Sequence, residues 1–192
     1  MEESTRSASI AVIGAGALGR KLALKLAQAG LRVVLEDVMP ANLRHAEMEL
    51  AQLDHGAENL RFASSIESAV RDADVAIDFV PDELESKLEI FCLLDRMAPP
   101  RTILCTPSRS MSITDLASCT YRAERCVAVR GDAGNELALG DAAAIRILRG
   151  PATDDETVAT VRSIFEQIGT LVSVLDDPNA PVLVKNEHLL RR

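Results

Sequence analysis

A doubly wound α/β fold, with a mostly parallel sheet covered by helices on both faces, is predicted by three features of the sequence. From Ser9 onward, short β-rich runs alternate with longer segments of helical periodicity, the order that builds parallel strands joined by crossover helices. Two of those runs, 75–79 and 102–105, are almost continuously apolar, as strands buried on both faces must be. A glycine-rich turn separates the first strand from the first helix.

Each element has a local reason. The first strand is read at 10–13, and Leu18, Leu22, Leu26 and Ala29 then recur at helical spacing until Gly30 supplies a stop. A strand at 32–36 follows, and Pro40 opens the next helix, where a missing N–H costs nothing. Strands at 60–63 and 75–79 come next. Asp82 is read as the N-cap of a helix whose face runs through Leu84, Leu88, Phe91 and Leu94 or Asp95, ended by Pro99-Pro100. Strands at 102–105 and 126–129 complete the regular alternation. Beyond Arg130 the stretch 131–141 reads as loop, 143–148 as a strand, 154–168 as a helix and 171–175 as a last strand. These late strands are candidates for antiparallel additions, with their direction left open. Residues 1–192 are expected to form one domain, with tails at 1–8 and 178–192. The second tail is either a docking helix or a frayed end, the frayed reading being favoured.

Composition narrows the function. The chain has 192 residues, 47% of them hydrophobic, and a net charge of −8. That length buries about 70% of the unfolded surface without a metal or disulfide staple. Cys92, Cys105, Cys119 and Cys126 include no C-x-x-C pair, so they read as buried thiols in a reducing compartment, and no metal site is expected. The start is polar, with no apolar run that would cross a bilayer, so a cytoplasmic protein with no membrane contact is expected. Nucleic acid is an unsuitable partner for an acidic chain with 3% aromatic residues and no tryptophan.

The strongest chemical signal is Gly14-Ala15-Gly16-Ala17-Leu18-Gly19, placed directly after a strand and opening a helix. In this context Gly14 permits the tight turn, Gly16 lets a pyrophosphate approach the backbone, and Gly19 allows close helix–strand packing. The helix N-terminus, with Ala17 and Leu18 in its first turn, faces the anion. Asp37 lies about 20 residues further on, at the end of the second strand, where an acid accepts from ribose hydroxyls. Glu36 is the competing acid. The pattern predicts a dinucleotide-binding domain of the Rossmann type. NAD is favoured over its phosphorylated relative, because two acids would repel a 2′-phosphate and Val38-Met39-Pro40 offers no arginine to receive it.

With these residues in hand, the chain resembles the NAD-binding domain of the 3-hydroxyacyl-CoA dehydrogenase family, a lineage of fatty acid metabolism. The likeness runs over about residues 8–175, carried by GAGALG, VVLEDV, the stretch ADVAIDFVPDELESKLEIFCLLDRMAPPRTILCT and SMSITDLA. By resemblance, Phe79, Val80 and Asp82 lie along the nicotinamide ribose, and Lys87 reaches back to the cofactor. A plainer reading makes Lys87 a surface partner of Glu83. The family's catalytic histidine falls on Arg130, its serine on Arg109, and an asparagine that helps to bind cofactor on Pro107. The glutamate that orients the histidine falls near 142–146, where only Asp141 is close, and Asn186 lies near the family's second asparagine. The three histidines are His45, His55 and His188, so none lies between Gly56 and Glu187.

An arginine does not shuttle protons near neutral pH, and a positioned general base contributes about 10²–10⁴ in rate. Ordinary hydroxyacyl oxidation is therefore expected to be crippled. One reading is an NAD-dependent oxidoreductase whose chemistry has shifted, with Arg109 and Arg130 clamping the carboxylate of a small hydroxy acid; a residual acyl-CoA substrate also fits the lineage. The plainer alternative makes the two arginines solvated rim charges paired with Asp132 or Glu136. A separate reading is a non-catalytic module that holds NAD(H) or docks a partner subunit. A third has a partner lend the histidine in trans. The family's helical C-terminal domain, which the resemblance implies forms a dimer interface, is not matched by 178–192; a homo-oligomer or a partner subunit is expected to cover that surface. Tyr121 lacks the YxxxK pairing of a tyrosine-based reductase and reads as a loop residue, and the serines at 108–112 have no nearby histidine.

Overall fold

The computed structural model describes residues 7–52, 58–132, 137, 139 and 142–184. Its elements are β1 (Ser9–Ile13), α1 (Ala17–Gln28), β2 (Arg32–Glu36), α2 (Pro40–Leu50), β3 (Leu60–Ala63), α3 (Ile66–Val70), β4 (Val75–Asp78), α4 (Leu84–Met97), β5 (Ile103–Thr106), α5 (Ile113–Ala117), β6 (Cys126–Gly131), β7 (Ala144–Arg149), α6 (Asp155–Gln167) and β8 (Leu171–Asp176). One sheet contains all eight strands in the order β3-β2-β1-β4-β5-β6-β7-β8. The chain reverses direction across the sheet between β1 and β4, the position at which α/β folds open a ligand crevice. Strands β1 to β6 are mutually parallel, β7 is antiparallel to β6, and β8 is parallel to β7. The late strands thus both run against the main sheet, the direction that the sequence left open.

Alternation along the strands divides the core into two layers. Ile10, Val12, Val33, Leu35, Val75, Ile77, Val127 and Val129 face α1, α2 and α6, while Ala11, Ala76, Leu104 and Ala128 face α3, α4 and α5. The second set is rich in alanine, which leaves room for bulky helix residues such as Phe91 to lie directly on the sheet. Burying such a ring contributes about 1.5–3 kcal/mol.

Two short helices escape the sequence reading. Ser65 and Ser112 cap them, accepting from the Ser68 and Thr114 N–H groups, but five residues are too few to display a helical period. The buried face of α4 also departs from expectation: it runs through Lys87, Ile90, Phe91, Leu94 and Asp95, whereas Leu84 is exposed. The end of α4 is held by Arg122, whose guanidinium bonds Asp95 at 2.8 Å and the carbonyls of Asp95, Ala98 and Pro99. Tyr121 beside it is almost fully exposed, as a loop residue.

The described part of the segment following β8, up to residue 184, is docked. The Asp115 carboxylate accepts the backbone N–H groups of Val182, Leu183 and Val184 at 2.7–3.1 Å. Three donors on one carboxylate tie 182–184 to α5; residues 185–192, with Asn186 and His188, lie outside the described residues. Among the described residues, no helix is long and apolar enough to cross a membrane. All four cysteines are free thiols, with Cys105 and Cys126 fully buried and Cys92 and Cys119 half-buried. Burial pushes the Cys126 thiol up to about 12, which makes it inert near neutral pH.

Candidate functional site

A cavity of about 310 Å³ lies at the carboxyl ends of the central strands, lined by Gly16, Ala17, Leu18, Gly19, Phe79, Val80, Asp82, Lys87, Pro107, Ser108, Arg109 and Leu137. A hollow of about 360 Å³ opens elsewhere, between β2, β3 and α3, towards the opposite ends of the strands. The first is the candidate site, because ligands of open α/β sheets bind beyond the carboxyl ends of the strands at the switch point.

The glycine turn meets its geometric requirements one residue at a time. Gly14 has φ +101°, and a Cβ there would lie 3.1 Å from the Phe79 backbone. A Cβ on Gly19 would sit 2.0 Å from the Gly14 carbonyl oxygen, so helix α1 approaches the turn only because that residue has no side chain. Gly16 differs from both. A Cβ there would meet nothing within 4 Å, so no protein neighbour demands a glycine. The residue is nonetheless exposed, and α1 begins there with no side-chain cap on its first-turn N–H groups. A bare backbone next to unused donors at a positive helix end suits a diphosphate.

Asp37 stands where the sequence places it, but in this structure its carboxylate organises the turn. One oxygen accepts from the Ala15 N–H at 2.8 Å and the Asn42 amide at 2.9 Å, and the other accepts from the Met39 N–H at 2.7 Å. The second oxygen keeps acceptor capacity for a hydroxyl. Glu36 is 2% exposed, and its Oε1 has no partner among the described residues. Burial, reinforced by the charge of Asp37, pushes its carboxyl up to about 7.

Lys87 is not the surface partner of the Glu83 side chain that its plainer reading made it: it lines the crevice, is 1% exposed and bonds Asp78, at the end of β4, at 2.5 Å. Burial pushes the Asp78 carboxyl upward while the lysine charge pulls it down. Lys87 lines the crevice, and the fully buried Asp78 lies behind it. Asp78 had a signal in the sequence, an acid inside the apolar run VAIDF, which calls for a buried partner.

Asp82 is likewise redirected. Helix α4 starts after Glu83 with no side-chain cap, and the Asp82 carboxylate instead accepts from the Arg109 N–H at 3.1 Å and the Ser110 hydroxyl at 3.3 Å. Burial would raise its pKa, but the Ser108 hydroxyl, the Arg109 N–H and the Lys87 charge together hold it below the ordinary carboxylate range.

The two arginines do not form a clamp, and Arg130 is no rim charge. It is 7% exposed, with Nε bonding the Ser108 carbonyl at 2.5 Å and Nη2 the Met111 carbonyl at 2.7 Å. Its charge faces Asp177 at 3.8 Å, and Asp177 in turn accepts from the Ile113 N–H. Burial lowers its pKa, opposed by Asp177 and Asp82. Arg130 is a strut between β6 and the loop that carries Arg109. Asp132 pairs with Arg146 at 2.6 Å instead, and Arg146 sits directly opposite Arg130 across β6 and β7; Glu136 lies outside the described residues. Arg109 alone has its side chain exposed in the crevice, with no ion-pair partner among the described residues.

Fold and crevice together define a dinucleotide-binding domain, and the fit is specific: bare Gly16, an uncapped α1 and an acid at the end of β2 would hold pyrophosphate and ribose. When bound, a nicotinamide dinucleotide supplies hydride transfer. The chain belongs to the 3-hydroxyacyl-CoA dehydrogenase family, whose NAD-binding domain model matches residues 9–177. It is 30% identical to the probable 3-hydroxybutyryl-CoA dehydrogenase of Bacillus subtilis and 29% identical to the 5-formyl-3-hydroxy-2-methylpyridine 4-carboxylate 5-dehydrogenase of Mesorhizobium japonicum, over 94% of the chain in each case. The chain spans 66% and 61% of the lengths of these two relatives, respectively. A solved structure of a 5-dehydrogenase acting on that same pyridine carboxylic acid, described as an NAD+-dependent dismutase, superposes with a TM-score of 0.76 at 29% identity, covering 95% of this chain and 62% of that one. The 3-hydroxybutyryl-CoA dehydrogenase of Escherichia coli shares the fold, with a TM-score of 0.77 at 23% identity over 89% of this chain and 38% of that one.

Proposed function

We propose that this chain holds NAD(H) in the crevice and is the cofactor half of an oxidoreductase acting on a hydroxyacyl-CoA or a small hydroxy acid, with Arg130 in place of the lineage's general acid/base. The observation that carries the reading is Gly16, a glycine that its own protein does not require, set beside an uncapped helix end. Residues Gly14, Gly16, Ala17, Leu18 and Gly19 would receive the pyrophosphate and Asp37 the ribose. Phe79, Val80, Asp82 and Lys87 would line the nicotinamide side, which they reach from the end of β4 and the start of α4. Calorimetric titration tests this: NAD and NADH should bind more tightly than their 2′-phosphorylated forms, and absence of heat with either would refute it.

A second reading, a non-catalytic NAD(H)-binding or partner-docking module in the cytoplasm, is favoured by Arg130 itself. A buried guanidinium bonded to two carbonyls is a structural brace and carries no proton during a reaction. Turnover discriminates the two. NADH consumption with acetoacetyl-CoA supports the enzyme, whereas tight NADH binding with no consumption supports the module. Self-association or a partner subunit is part of either reading, and a strictly monomeric mass by light scattering of the isolated chain would count against self-association.

A further inference from the structure

We propose that Arg109 makes the crevice selective for a substrate bearing a free carboxylate, a small hydroxy or oxo acid in preference to a neutral carbonyl compound; this rests on the reading of the crevice as the NAD(H) site. Three observations converge. Among the described residues lining the crevice the basic side chains are Lys87 and Arg109; the first is committed to Asp78, the second to no carboxylate. Asp82, the acid among the described residues lining the crevice, bonds the Arg109 backbone N–H and the Ser110 hydroxyl, which fixes the loop and leaves the guanidinium without an ion-pair partner among the described residues. The same loop is tied from its other side, since Arg130 grips the Ser108 and Met111 carbonyls and Asn179 donates to the Met111 carbonyl at 3.2 Å.

An exposed arginine on so firmly tied a loop is pre-organised. Its planar fork matches a carboxylate in two parallel hydrogen bonds, whereas an uncharged carbonyl would use one of five donors and leave the charge unanswered. The pyrophosphate does not need Arg109, because the bare turn and the end of α1 already present donors to it. Arg130 is therefore a positioning residue and Arg109 the specificity-determining one.

The test titrates three probes into the protein, with and without NADH: acetoacetate, acetoacetyl-CoA and the neutral pentane-2,4-dione. The NADH complex should bind acetoacetate more tightly than the dione. Arg109→Gln should weaken acetoacetate by about 10- to 100-fold, as expected for a lost charge-assisted hydrogen bond, with NADH and dione affinities unchanged. Arg109→Lys should restore part of the loss, because charge returns without the fork. NADH binding with acetoacetate affinity indifferent to Arg109→Gln overturns this inference alone. An equal loss of acetoacetyl-CoA and acetoacetate overturns carboxylate selectivity and assigns Arg109 to a shared group. A loss of NADH affinity in Arg109→Gln assigns the arginine to the cofactor and overturns it too. Failure of NADH to bind the wild type sinks the underlying reading and this one together.

Discussion

Replacing Glu36 with glutamine should remove a pH dependence that the fold imposes on itself. The carboxyl is 2% exposed, with one oxygen unpartnered among the described residues, and burial beside Asp37 raises its pKa from 4.5 to about 7. A raised pKa in an acid means that the folded state favours the protonated form. That contribution is fully present below the unfolded value and is lost as pH rises through the folded one. The gap of about 2.5 pH units, at about 1.36 kcal/mol each, amounts to about 3 kcal/mol. Urea denaturation of wild type and Glu36→Gln, compared between about pH 5 and about pH 8, reads the effect directly. Glutamine keeps the shape and neutrality of the protonated acid. The unfolding free energy of the variant relative to wild type should therefore grow by about 2–3 kcal/mol across that range, the rest of the contribution having been lost below about pH 5. Two parallel profiles would refute the reasoning, showing that Glu36 finds a compensating partner or moves to solvent.

The glycine turn separates folding from binding. Gly16→Val should leave stability within about 1 kcal/mol, the scale of an N-cap exchange, while weakening NADH by about tenfold or more, at least ~1.4 kcal/mol of lost contact. Gly19→Ala should do the reverse first, costing about 1–3 kcal/mol or more in urea denaturation, because its Cβ would collide with the Gly14 carbonyl oxygen. Lys87→Met should cost about 3–5 kcal/mol by leaving the fully buried Asp78 carboxyl without its cation. Adding Asp78→Asn to it should recover part of that loss, and no recovery would mean that packing, rather than charge, sets the cost.

Much of the site was legible because its requirements are local. A bare turn between a strand and a helix is a pattern of neighbouring residues, and Gly14, Gly16 and Gly19 each occupy the position that the pattern assigns. Strand alternation and Pro40 at a helix start are equally local. Asp37 was legible in place but not in its work, since its donors lie at Ala15, Met39 and Asn42 and depend on how the turn closes.

The charged residues show where reading along the chain fails. Lys87 and Arg130 were both expected at the surface in their plainer readings, and both are buried, because the fold brings Asp78 and Asp177 to them. Asp115 binds backbone 67 residues away, and nothing near it in the chain announces that. Periodicity, turns and the dinucleotide signature follow from steric and hydrophobic rules that act over a few residues, so the order of residues suffices for them. The partner of a buried charge is chosen by desolvation, which only becomes large once the sheet has closed, and so the three-dimensional arrangement alone decided which arginine became a brace and which was left without an ion-pair partner among the described residues.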